Sequence, residues 1–346
     1  MSIQPENIKP SIAKDPTYRY VSVGFLVVAS IALFLVMWFT RNNIPVKAPR
    51  TLTIYSFAAM ETVMEEALIP AFQDHWYHKS DERVEFVTTF SGAGVITRQV
   101  MTQFPAEVVI LSSELDARRL VGAGMLNTAN WLDLSSKQKF CRTPIVMFVR
   151  NDPDTRIQEF GDINFDDMNV IIPDPLISGE GQMTALALYG SRVRRGEDHE
   201  TALKYISDVF SGLRRNPSNS QDALEQFHAG IGDVLFNYEA ARDFRSEGKD
   251  LFMIFPTSTI MVEPVAVAID KNVAQDQEEV VNAFLDFLWS NKAQKLLSDF
   301  GFQTINTAEE PEFAPAPDHD IFTLNDLGTA IELNRRVIDP LLKIID

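Results

Sequence analysis

The chain has 346 residues, enough for two lobes or two domains. Its 45% hydrophobic and 23% charged composition is that of a globular protein and excludes a disordered chain. A net charge of −17 argues against a nucleic-acid partner, because duplex binding relies on Lys and Arg neutralising phosphates.

Residues 1–20 read as a polar tail. The run Val21 to Phe39 carries no charge, and at about 1.5 Å per residue it matches a hydrocarbon core of roughly 30 Å. Tyr18, Tyr20 and Trp38 stand at its edges as interfacial aromatics do. No small-x-small cleavage site and no lipobox cysteine follow it. The expectation is one transmembrane helix over 21–39, in a single-pass membrane protein. Lys9, Lys14 and Arg19 before the span balance Arg41, Lys47 and Arg50 after it, so charge alone does not orient it. Residues 40–50, with Pro45 and Pro49, read as a linker.

Thr51–Ser56 is a β-rich run, followed by a helical pattern over about 61–75. Strands are expected at 84–89 and 107–111, with helices at about 95–103 and 113–123 between and after them. Further strands are expected at 145–149, 170–172, 233–236, 252–255 and 265–269. Helices are expected at about 182–194, 198–211, 221–229, 278–298 and 325–337. Residues 306–320, with three prolines, read as an irregular connection. Strands alternating with helices give an α/β class with parallel pairings.

Three turns rich in Ser, Gly and Asn each lead into a predicted helix: Ser91-Gly-Ala-Gly94, Ser178-Gly-Glu-Gly181 and Asn216-Pro-Ser-Asn-Ser220. Helix N-termini present unpaired N–H groups and a partial positive charge, and small residues let an anion approach. Each turn is equally explained by helix capping. Their joint position at strand C-ends is where open α/β sheets bind ligands.

Enzyme readings find little support. No GxSxG, GxGxxG, P-loop, HExxH or EF-hand pattern is present. The five histidines are scattered, and His75 and His78 fall in a polar helix end. Asp174, between two prolines, reads as a turn-shaping residue. Cys141 is the one cysteine, which excludes an internal disulfide and argues against a Cys metal site. No cofactor and no catalysis are expected.

Seven stretches, in order, carry a family resemblance. They are AFQDHW (71–76), SGAGVITRQVM with PAEVVIL (91–111), TPIVMFVRNDP (143–153), VIIPDPLISGEGQ (170–182), GIGDVLFNYEA (230–240), MVEPVAVAIDKNV (261–273) and IFTLNDLG (321–328). Over about 52–345 the chain resembles the periplasmic sulfate-binding proteins of ABC importers. The resemblance implies a type II periplasmic-binding-protein-like clamp, with the globular part periplasmic and the 21–39 helix in the inner membrane. Lobe 1 would be 51–142 plus 264–346, lobe 2 would be 143–263, and the crossing strands would lie near 143–149 and 261–267.

It also implies a small tetrahedral oxyanion, sulfate first, held by neutral donors and delivered to ABC permease subunits. Molybdate, tungstate, thiosulfate and phosphate are the alternatives, as is a membrane-tethered sensory or scaffold role. The family's contacts map onto Ala59, with Ala58 beside it, and onto Ser91, Ala93, Gly94, Ser178, Gly179, Asn219 and Tyr238. Three positions depart from the family pattern. Ala93 stands for a serine, with Ser91 as its substitute. Tyr238 stands for a tryptophan, and Glu180 for a glycine. A carboxylate at 180 must point outward or meet a protonated ligand.

Overall fold

The computed structural model describes residues 16–42, 48–126, 138–150, 157–213, 216–241, 251–305 and 318–345, and side chains within the first of these segments from 24 to 38. Most of the expected irregular connection, 306–317, and most of the N-terminal tail lie outside the described residues. The chain divides into two compact units, Met1–Ala48 and Pro49–Asp346.

The first unit holds helix α1 (Pro16–Asn42). The expected anchor over 21–39, and with it the single-pass inner-membrane placement, is corrected by one finding: among the described residues, no helix is long and apolar enough to cross a membrane. The exposed apolar side chains run from Phe25 to Trp38.

The second unit is an α/β fold with two sheets. Strand β1 (Arg50–Phe57) leads through a 3₁₀ turn at Ala58–Met60 and a π segment at Met64–Leu68 into α2 (Ile69–Ser80). Then come β2 (Val84–Ser91), α3 (Ala93–Met101), β3 (Val108–Leu111) and α4 (Glu114–Gly122). Strands β2, β1 and β3 pair in parallel, and β9 (Val265–Ala268) closes the edge antiparallel to β3. Phe72 of α2 packs edge-on against Phe284 at 5.2 Å between centroids. Phe284 belongs to α8 (Glu278–Leu288), which follows later in the chain.

The second sheet is built around β4 (Thr143–Arg150), whose almost unbroken apolar run is buried from Thr143 to Val149. That is the pattern of a strand with neighbours on both sides and layers on both faces. β5 (Val170–Ile171) pairs with β6 (Val234–Tyr238), β6 with β4, β4 with β8 (Ser258–Val262), and β7 (Leu251–Ile254) with the far end of β4. Helices α5 (Gly179–Arg194), α6 (His199–Gly212) and α7 (Ser220–His228) belong to this half. Every residue of α5 from Gly179 to Ser191 is buried.

The chain passes between the sheets just before β4 and again between β8 and β9. Lys139 bridges to Val265 just before β4, and residues 263–264 join β8 to β9. Glu263 accepts from Lys139 and lies 3.5 Å from the Arg142 guanidinium, so one carboxylate ties both crossings. A third link departs from the expected lobe boundary. β10 (Asp320–Phe322) pairs in parallel with β8, so the C-terminal segment returns to the second sheet instead of staying with the first. The predicted helix over 278–298 is also two helices, α8 and α9 (Asn291–Asp299), because Ser290 caps a new start by accepting from the Ala293 N–H.

Candidate functional site

The three small-residue turns meet. α3 starts after Gly92, α5 after Ser178 and α7 after Asn219. The Gly94 N–H donates to the Ile177 carbonyl at 3.1 Å, joining the first turn to the second. The Asp174 N–H donates to the Pro217 carbonyl at 2.8 Å, joining the second to the third. A side chain on Gly92 would begin 2.3 Å from the Ile177 carbonyl oxygen, so only glycine allows this approach. Asp174 shapes its turn as expected, accepting from the Leu176 N–H at 2.9 Å.

Each expected residue has a definite place here. Ser178 is buried at the N-cap of α5, with Oγ accepting from the Gly181 N–H at 3.4 Å. Gly179 follows it, and Ala93 begins α3 beside it. Asn219 caps α7, accepting from the Gln221 and Asp222 N–H groups at 2.9 and 3.0 Å, so its side chain is committed to the helix. Ser91 ends β2 and is half-buried. Tyr238 ends β6 fully buried, its ring edge-on to Phe57 at 6.0 Å. Ala59 lines a groove of about 490 Å³ together with Thr62, Glu66, Ser220, Glu225 and Phe302. The Gly94 N–H is already used between the turns, which removes it as a free donor. Arg98 donates to the Leu176 carbonyl at 3.0 Å, bracing the second turn.

Four groups escaped the sequence reading. Ser112, at the C-end of β3, is fully buried, and its Oγ donates to Asp116 Oδ2 at 3.4 Å. Asp116 is held by Arg119 at 2.8 Å, and the same guanidinium donates to Gln182 of α5 and to Asn334. Thr184 lies one turn along α5 from Glu180, and Ser220, which belongs to the third turn, opens α7. The Ser112-Ser113 pair between a buried strand and a helix was a visible signal of the same type as the three turns.

Glu180 does not point outward. It is 2% exposed, and neither carboxyl oxygen makes a well-formed hydrogen bond. It approaches the Ser220 hydroxyl and the Tyr238 N–H. That N–H is engaged by Asn237 Oδ1 at 2.7 Å, and the Asn237 side chain donates to the Ser220 carbonyl at 3.2 Å. The Thr184 hydroxyl is likewise buried without a partner, and the Tyr238 hydroxyl, which approaches Ser112, makes no well-formed hydrogen bond. Burial pushes the Glu180 carboxyl well above 4.5. The Tyr238 phenol is pushed up by burial and then by the Glu180 charge. Native interiors rarely leave such groups unpaired, and a cluster of them marks a place where something else completes the bonding.

Among the described residues, no group of three or more His, Cys, Asp and Glu side chains could hold an ion. His75 packs on Phe287, and His78 pairs with Asp74 at 3.4 Å on the surface. Cys141 is buried, and burial pushes its thiol up, which leaves it unreactive.

A two-lobed α/β clamp whose helix starts converge on buried polar groups lacking well-formed bonds defines a periplasmic-binding-protein-like fold. The chain belongs to the bacterial extracellular solute-binding proteins, whose family model it matches over residues 52–303. It is 26% identical over 273 residues to a sulfate-binding protein of Synechocystis sp., covering 78% of this chain and 77% of that one. A thiosulfate-binding protein of Pseudomonas aeruginosa is 25% identical over 264 residues, covering 74% and 79%. The sulfate-binding protein SubI of Mycobacterium tuberculosis H37Rv superposes with a TM-score of 0.73 at 25% identity, covering 83% of this chain and 99% of that one.

Proposed function

We propose that this chain captures a small tetrahedral oxyanion, sulfate first, between its two lobes and presents it to an ABC permease. The observation that carries the reading is the meeting of the α3, α5 and α7 starts at a buried cluster of polar groups lacking well-formed bonds. The site would comprise Ser178, Gly179 and Tyr238, with Ala93 and the Ser220 hydroxyl beside them. Ala59 and Ser91 would stand at its edge, and Asn219 would act by holding the α7 N–H groups in place. Lobe 1 would centre on 51–142 with 264–305, and lobe 2 on 143–263 with the C-terminal strand. Relatives named for sulfate and for thiosulfate support the anion class.

No basic side chain is required for this. Backbone N–H groups at helix starts supply partial positive charge, and in a site shielded from water they act with little screening. The decisive experiment is calorimetric titration of the full-length chain with sulfate, thiosulfate, phosphate and molybdate. Saturable binding of sulfate ahead of the others is expected. Absence of binding to all four sinks the reading.

A further inference from the structure

The Glu180 carboxyl is out of place in a pocket for a fully ionised anion. Its two oxygens are buried, lack well-formed hydrogen bonds, and lie beside the Ser220 hydroxyl at the start of α7 and beside Tyr238. An ionised carboxylate and a sulfate oxygen are both acceptors, so in contact they repel unless a proton lies between them. Resting on the oxyanion reading above, we propose that the cleft takes up its anion together with one proton, shared between the Glu180 carboxyl and an oxygen of the anion.

The surroundings leave Glu180 to carry that proton. From β6 it faces the Tyr238 phenol, which burial holds in its neutral form. From α7 it faces Ser220, which does not titrate. On α4, Asp116 is buried against Arg119 and bonded to Ser112. Ahead of α5, the Arg98 guanidinium is spent on the Leu176 carbonyl. The other charged groups packed along α5 lie towards its far end. His199 bonds to the Tyr189 hydroxyl, Arg336 acts on Tyr189, and Asp320 pairs with Arg194. No cation is among the groups that perturb Glu180, so protonation is the means by which its charge is removed. An added anion raises the cost of the ionised form further. With sulfate, which brings no proton in the working range, the proton resides on Glu180 and the acid donates to the anion. With a hydrogen-bearing oxyanion, the ligand brings the proton and an ionised Glu180 accepts it.

The experiment is calorimetry of the full-length chain with sulfate from about pH 5 to about pH 10, in buffers of differing ionisation heat, beside Glu180→Gln. Above the Glu180 titration point, wild-type affinity is expected to fall about tenfold per pH unit, with one proton taken up per sulfate bound. Glu180→Gln is expected to bind with a flat pH profile and no uptake. Infrared difference spectra of the sulfate complex at about pH 8 should show a carboxylic C=O band that the Gln variant lacks. Sulfate binding with neither proton uptake nor that band overturns the proposal and leaves the oxyanion reading intact. If no oxyanion binds at any pH, the oxyanion reading itself fails.

Discussion

The Ser112 hydroxyl oxygen lies 2.0 Å from the point where a side chain on Gly179 would begin, and the Ala93 methyl lies 2.8 Å from it. Ser112 directly follows a strand of the first sheet, whereas Gly179 begins a helix of the second half, so this contact is where the two halves close on each other.

Gly179→Ala therefore places a methyl group where two fixed neighbours already stand. Overpacking of this type costs about 1–3 kcal/mol, and here opening of the cleft relieves it. The expected outcome is a loss of oxyanion affinity of roughly tenfold or more, with secondary structure unchanged. Calorimetry and small-angle scattering measure the two effects. Full affinity in the variant would show that the closed contact is not needed for binding.

Tyr238→Phe separates stability from binding. The Tyr238 hydroxyl is fully buried and makes no well-formed hydrogen bond, with only the Ser112 hydroxyl beside it. Removing it relieves a desolvation cost of about 1 kcal/mol or more, so the variant should melt no lower than wild type. Its affinity should nonetheless drop about 10- to 100-fold, the worth of one hydrogen bond to a charged ligand. Ser178→Ala should lower both, because Ser178 also caps α5, a role worth about 1 kcal/mol. A Tyr238→Phe variant that melts lower and binds normally would place the phenol in the core instead of the site.

Arg119 holds three elements together through Asp116, Gln182 and Asn334. Asp116 is fully buried, and burial raises its carboxyl even with this partner present. Arg119→Leu strands that carboxyl and should cost about 3–5 kcal/mol. Adding Asp116→Asn should recover much of the loss, since it removes the orphaned charge. Denaturant unfolding of the two single variants and the double variant tests this. Strict additivity of the two changes would contradict the coupling.

Glu180 also makes stability depend on pH. Burial raises its carboxyl above the usual 4.5, so the folded chain keeps a proton that the unfolded chain has released. Stability is then complete below about 4.5 and declines as pH rises through the folded-state value. Glu180→Gln should flatten this decline, exceeding wild type at alkaline pH and converging with it at acid pH. Melting curves of both proteins across that range provide the measurement. Parallel curves would show that Glu180 does not carry the dependence.

Local chemistry accounts for what could be read from the chain alone. The alternation of strand and helix, the turn made by Asp174, and the small-residue helix starts at Ser91–Gly94, Ser178 and Asn219 depend on residues within a few positions of one another. Capping and turn bonds of this range are written in consecutive residues. The helix break at Ser290 was equally local but was hidden by apolar periodicity continuing across it.

Tertiary structure decided the rest, because the partners are far apart in sequence. Glu180 follows a capped helix start and carries a charge, which locally suggests a solvated side chain. It is buried only because β6 and α7 bring Tyr238 and Ser220 against it. The closeness of Ser112 to Gly179 depends on two sheets folding towards each other. β10 pairs with β8 across an intervening 57 residues, as the register Asp320 with Ser258 shows, so no local pattern identifies which sheet it joins. A buried hydroxyl without a well-formed hydrogen bond is a property of distant backbone placement, and only the folded chain reveals that Tyr238 has one.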